Sequence, residues 1–237
     1  MFACAGDAVA QTANRPSGSV EVTTDHRRRG LSWSEGKVAA DAIVTLPLST
    51  ALRIEGRVTT LRGSARHGGA DVGLDATAAY SRDFGGFSLT GGATGHVFAG
   101  GVGGLHYGEV DAGAGFAIGP AQLDVEAHYA PSQSGIGGDN LYLAARASAG
   151  IPTTPYTVAA HVGRTTGGTD DPLRAARLRP GGDYTDWGVR VERVTGNLAI
   201  GLRYSGTDID RRAIAASPYA DLSNAGDRLT GHVAIFL

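Results

Sequence analysis

Two stretches of the chain carry acids on alternate positions: Glu109 and Asp111 in "HYGEVDAGAGF", and Asp124, Glu126 and His128 in "GPAQLDVEAHYAP". In an extended chain, residues i, i+2 and i+4 project from one face, so these side chains converge. Carboxylates with an imidazole could hold a divalent cation. They are equally what a hydrated acidic wall presents. The wall is the reading adopted here, with no metal and no cofactor expected. A hydrolytic centre would need a nucleophile, a base and an orienting acid in one place. Ser148 and His161 are candidates only because they share the polar parity of their strands, so no catalytic residue is assigned and no enzyme is expected. Gly113-Ala114-Gly115 and the "GGVGG" run suggest a phosphate cradle, but no helix follows either of them. The remaining chemistry is cationic. Arg27, Arg53 and Arg57 lie in the first quarter of the chain, and Arg190, Arg203 and Arg228 in the last.

The composition limits what these charges can serve. The net charge of −2 gives no electrostatic reason to bind nucleic acid. The only cysteine is Cys4, so no internal disulfide forms. Glycine is abundant, 37 of 237 residues, without the three-residue period of collagen. No apolar run reaches the ~18 residues that a membrane helix requires. Residues 1–16 read as a flexible tail or the remnant of an export signal, with Ala8-Val9-Ala10 suited to signal-peptidase cleavage.

The elements that must position the charges are strands. Period-two alternation runs over 17–27, 37–46, 50–61, 71–83, 86–98, 105–118, 121–130, 139–150, 155–164, 183–194, 197–206 and 227–237. Most segments have the ~10 residues that let a tilted strand cross a bilayer. Every second connection is tight, at 46–49, 83–86, 118–121, 151–155 and 194–197. The others are long and polar, among them "RRGLSWSEG", "RGSARHGGA" and "PSQSGIGG". Within the long connection 165–182, "TDDPLRAARL" carries helix start and stop signals. Short turns at one end and long loops at the other are the plan of an outer-membrane barrel.

The two parities then fall into place. One carries Val20, Val44, Leu74, Val125, Leu143, Val189, Ile200 and Val233 and almost no mid-strand charge. A charge there would cost several kcal/mol at the bilayer midplane. The other parity carries the acids and arginines. A soluble barrel of twelve strands would be too wide for such small side chains to fill, because about eight strands is the limit for a packed interior. The expectation is therefore a single transmembrane antiparallel up-and-down β-barrel over 17–237, apolar side in lipid and charged side in the lumen.

On closure, the arginines of the first and last strands form one basic arc: Arg27, Arg53, Arg57, Arg190, Arg203 and Arg228. Glu109, Asp111, Asp124 and Glu126 form an acidic wall opposite. Such a lumen orients dipolar solutes and tunes ion preference. Neighbouring opposite charges could instead pair and leave the lumen nearly closed. Arg27, Arg28 and Arg29 sit at the first external loop, where solvated charge is expected and lipopolysaccharide phosphate is a possible contact. The final strand "RLTGHVAIFL", with Phe236 and Leu237 at its end, has the form read by barrel-assembly machinery.

Three blocks carry a family resemblance. "VEVTTDHRRRGLSWSEGKVAADA" (20–42), through Asp25, Arg27, Arg29, Gly30, Leu31 and Ser32, resembles the opening of the TorF-family porins, with His26 and Arg28 in place of aromatics. "HYGEVDAGAGF" and "DYTDWGVRVERVTGNLAIGLRYSGTDID" (183–210) are similar to that family's Tyr-Gly-Glu strand and its Tyr-Trp-Gly hairpin. The resemblance implies an outer-membrane barrel of Gram-negative bacteria with a porin-like role and no defined substrate. The resulting expectation is passive diffusion of small hydrophilic solutes or ions. The alternative is a narrow, plugged barrel with a structural or surface-interaction role. Outer-membrane lipid, lipopolysaccharide and the assembly machinery are the partners expected, and the sequence does not specify an oligomeric state.

Overall fold

The computed structural model describes residues 15–210 and 217–237. Most of the 1–16 segment read as a tail or export remnant lies outside the described residues. Twelve strands form one closed antiparallel barrel: β1 (Ser17–Thr23), β2 (Ala39–Pro47), β3 (Leu52–Ser64), β4 (Ala70–Asp83), β5 (Phe87–Ala99), β6 (Tyr107–Ile118), β7 (Ala121–Gln133), β8 (Gly138–Gly150), β9 (Tyr156–Thr166), β10 (Tyr184–Thr195), β11 (Leu198–Thr207) and β12 (Arg228–Phe236). Each strand pairs with its neighbours in sequence, and β12 closes on β1 with Val20 opposite Ile235 and Val22 opposite Val233. The expected strands are all present, shifted by a few residues at their ends.

The registers carry the alternation around the wall. Val125 of β7 lies opposite Ala114 of β6 and Ala145 of β8, and Val162 of β9 lies opposite Ala145 and Trp187. Val20, Leu74, Val110, Leu123, Val125, Leu143, Val162, Val189, Ile200 and Val233 are all exposed on the outside. The alternate, inward positions carry the charges, such as Glu21, Asp75, Glu109, Asp124, Glu126 and Arg190. Because the side-chain period is two, a single choice of face per strand sets the whole wall.

Tight turns close one end. Gly119-Pro120 and Gly196-Asn197 are two-residue loops whose first residue has φ of 56° and 58°. A positive φ at the first central position matches the right-handed twist of the flanking strands and calls for glycine.

The opposite end is capped by the long loops, which fold onto one another. Trp33, Leu61, Phe98, Leu105, Tyr107, Ile136 and Leu178 form an apolar cluster beneath Tyr219. The helix signal at 169–178 becomes one turn, Pro172–Ala175, where the Asp171 carboxylate accepts from the amides of Leu173 and Arg174. Arg177 is fully buried in the cap. It donates to the carbonyls of Arg66, Leu105 and Gly135, and its guanidinium lies 4.5 Å from the Phe98 ring centre.

The first loop departs from expectation. β1 ends at Thr23 rather than at 27, and Arg27–Arg28 pairs with Leu31–Ser32 in a small hairpin of its own. Its tip residues Arg29 and Gly30 have φ of 50° and 72°, the two positive values of a type I′ turn. A Cβ on Gly30 would approach the Cβ of Asp186 to 2.8 Å, so only glycine lets the tip lie against β10 and β11. Asp25 is the hub. It accepts from Ser32 at 2.5 Å, Ser34 at 3.1 Å and Arg27 at 3.1 Å, while the amide of His26 donates to Ser34 Oγ at 2.9 Å.

Candidate functional site

The inner wall and the first-loop hairpin enclose a cavity of about 240 Å³. Arg27, Arg28 and Arg29, expected as solvated external charge, are turned inward by the hairpin. Arg27 is buried and donates to Asp25, to the Gly30 carbonyl at 2.5 Å and to the Gly226 carbonyl at 2.8 Å. It therefore belongs to the loop rather than to the wall of β1, because the turn at Asp25 lifts the chain off the sheet. Arg28 lies 2.7 Å from Asp75 of β4 and stacks over Trp33 with its guanidinium 4.2 Å from the ring centre. Arg29 crosses to β6 and makes a two-pronged bond to Glu109, at 2.9 and 2.7 Å, beside the ring of Tyr142. The paired side chains are 19% and 3% exposed, so the bridge is largely shielded from water.

The wall residues form a ring of ion pairs. Arg57 is 3.7 Å from Glu55, Arg190 is 3.2 Å from Glu192, and Arg203 is 3.6 Å from Glu21. Arg53, nearer the turn end, donates to Ser81 at 2.5 Å. Arg228 sits at the outer end of β12, 2.9 Å from Asn224 and 3.8 Å from Asp25, whose carboxylate it shares with Arg27 of the expected arc. On the acidic side, Asp111 is 2.6 Å from His128 and accepts from Thr94 at 2.7 Å. Glu126 has Arg146 at 3.6 Å, and Asp124 accepts from Gln122 at 2.9 Å. Glu109, Asp111 and His128 bring ligand atoms within 4.8 Å of one another. However, Arg29 occupies both oxygens of Glu109, and Asp111 and His128 are bonded to each other. His161 and Ser148 both line the cavity, and His161 engages the buried Asp186 at 3.2 Å.

Burial tunes the loop groups that touch this site. It holds His26 far below the usual imidazole range, at about 3, reinforced by the Arg28 guanidinium beside it. His67, in the cap, is likewise pushed well down by burial and then by Arg177. Burial would lower Arg29, but the Glu109 carboxylate outweighs it and holds the guanidinium above its ordinary value. The Arg29 guanidinium therefore stays charged throughout the physiological range.

Asp25, Asp75 and His96 carry much of this arrangement; of these the sequence had singled out only Asp25, as part of the family resemblance and not as a hub of bonds. The local signal was Ser32 and Ser34 flanking Trp33 just past Gly30-Leu31, a density of hydroxyls suited to a carboxylate hub. Nothing local pointed to Asp75 or His96, which meet the loop only through the closed barrel.

The twelve-stranded architecture is that of outer-membrane β-barrels. The NanC porin superposes with a TM-score of 0.60 at 9% identity, covering 92% of this chain and 98% of that one. The KdgM porin, solved in complex with disordered oligogalacturonate, gives 0.56 at 8% identity over 92% and 98% of the two chains. At these identities the likeness is one of fold. No curated protein sequence matches the chain. The profile of the Gcw_chp family, described as a bacterial protein of unknown function, matches residues 7–230. That span is nearly the whole chain, and the chain belongs to the Gcw_chp family.

Proposed function

We propose that this chain is a porin-like outer-membrane channel for passive diffusion of small hydrophilic solutes or ions, resting with its first loop drawn into the lumen. The observation that carries the reading is the division of the wall, apolar across the middle of its outward face and rich in charge on its inward one. A barrel with that division has a lipid-facing exterior and an interior suited to water and charge. The fold it shares with the NanC and KdgM porins supports the same role, as does the resemblance of three sequence blocks to TorF-family porins. Selectivity would come from pore width and inward charge, with no chemistry required. Outer-membrane lipid is the medium of the outer face, and the strand ending at Phe236 is the segment offered to the assembly machinery.

A second reading is favoured by one specific observation. The Arg28–Asp75 and Arg29–Glu109 bridges tie the first loop to the inner wall at β4 and β6. If they are permanent, the barrel is a plugged scaffold. Planar-bilayer recording of the refolded protein and of an Arg28→Ala/Arg29→Ala variant separates the two. The channel reading expects discrete, reproducible steps that grow larger or more frequent in the variant. Absence of steps in both proteins rejects it.

A further inference from the structure

Five buried polar atoms of cavity-lining residues have no hydrogen-bond partner: Arg27 Nε, His96 Nε2, Arg203 Nη2, Ser205 Oγ and His26 Nδ1. Arg27 and His96 are bonded to carboxylates through their other nitrogens, which leaves Arg203, Ser205 and His26. Their residues are 8%, 4% and 4% exposed. A buried polar group left unpaired has lost its hydration with nothing in return, and a charged one loses more. Three such groups around one void call for an explanation.

All three are donors. Arg203 can only donate, and the nearest carboxylate oxygen, Glu21 Oε2, stands 3.6 Å from Nη2, beyond hydrogen-bond reach. His26 Nε2 accepts from Arg28 Nε at 3.3 Å, so in the neutral ring the proton is on Nδ1, the unpaired atom. Ser205 follows Arg203 by two positions on β11, so the pleat turns both side chains to the same face. The charge of the cavity has the matching sign. Seven arginines line it against four carboxylates. Asp75 and Glu109 answer Arg28 and Arg29, Glu55 answers Arg57, and Glu126 answers Arg146. Arg27, Arg190 and Arg203 are left to acids outside the cavity.

We infer that Arg203, Ser205 and His26 form an oxyanion subsite in the lumen, built to hold the carboxylate of a small anionic solute. The inference rests on the channel reading for its role in transport, but the binding itself is a separate property. A carboxylate accepts several donors at once, and charge-assisted bonds of this kind are the strong ones. The surrounding volume of about 240 Å³ suits a solute the size of a single sugar or amino acid. Arg190, opposite Arg203 in the register of β10 and β11, adds attraction without being fully neutralised by Glu192 at 3.2 Å.

The test is calorimetric titration of the folded protein in detergent micelles with sodium glucuronate and, separately, glucose. The two probes differ in a carboxylate. Glucuronate is expected to bind at least about tenfold more tightly than glucose, given the worth of hydrogen bonds to charged groups. Arg203→Met should weaken glucuronate about tenfold or more and Ser205→Ala about threefold, while Arg82→Met at the turn-end rim changes nothing. The titrations are repeated on Arg29→Ala, so that a shut lumen is not mistaken for a missing site. No preference for glucuronate in either background, or unchanged affinity in Arg203→Met, overturns the subsite. Binding with the expected variant pattern in a protein that forms no channels would uphold the subsite and reject the channel reading instead.

Discussion

The most informative perturbation is Arg29→Ala. Arg29 spans the lumen from the tip of the first loop to Glu109, held by two bonds of 2.9 and 2.7 Å. Glu109 is almost fully buried at 3% side-chain exposure, so deleting its partner leaves a carboxylate that water barely reaches. Breaking a buried ion pair by removing one member costs about 3–5 kcal/mol. His96 Nε2 lies 3.5 Å from the same carboxylate and offsets part of that, which places the loss near ~3 kcal/mol at the low end of the range. Since each 1.4 kcal/mol is a factor of ten, the closed state should lose roughly 150-fold of its advantage. The assay is the open probability of single channels in planar bilayers, with heat-modifiable electrophoretic mobility confirming that the barrel is folded. Glu109→Gln should act in the same direction. The double variant should open little more than Arg29→Ala alone, because both substitutions remove one bridge. Equal open probability in wild type and Arg29→Ala, or strictly additive effects of the two substitutions, would refute a closing role for the Arg29–Glu109 bridge.

Acid should loosen the loop cap. His26 is held at about 3 and His67 well below its usual range, whereas a released histidine titrates near ~6.5. The released state then takes up protons that the closed state refuses, so closure is at full strength above pH ~6.5 and weakens as pH falls, by about 2 kcal/mol for His26 at pH 5 with His67 acting in the same direction. Iodide quenching of Trp33 in a Trp187→Phe background should rise between pH 7.5 and pH 5, and flat quenching would count against the buried neutral imidazoles. Arg177→Met leaves the carbonyls of Arg66, Leu105 and Gly135 unmet at a cost of about 3 kcal/mol in all, so external loops should be nicked by trypsin about 100-fold faster while the barrel persists. An unchanged nicking rate would show that the cap does not depend on the arginine. Val125→Arg puts a cation on the outward face of β7 and should destabilise the lipid-embedded protein by about 2–4 kcal/mol, read from its urea midpoint in vesicles. No shift would show that this face is not in the apolar core of the bilayer.

The sequence by itself determined the barrel. Leu123, Asp124, Val125 and Glu126 state both the extended conformation and the two faces, because in a strand the facing of a side chain is set by its position alone. The tight turns at Gly119 and Gly196 are also local, since a positive φ at a two-residue loop needs only the glycine. The short and long connections then ordered those strands into a closed wall.

The site was legible only in outline. The inward positions of Glu109, Arg57 and Arg203 followed from parity, but their partners did not. Arg29 meets a carboxylate 80 residues away, and Arg28 meets Asp75 on β4. The expected strand over 17–27 already went wrong at Asp25, whose bonds to Ser32 and Ser34 turn the chain off the sheet. Loop residues carry no period that fixes their direction. Whether a charged loop points to solvent or into the lumen depends on which buried carboxylates await it, and closure of twelve strands brings those to one place. The tertiary structure therefore decided that Arg28 and Arg29 reach the wall carboxylates Asp75 and Glu109, and that Arg203, Ser205 and His26 are left with donors to spare.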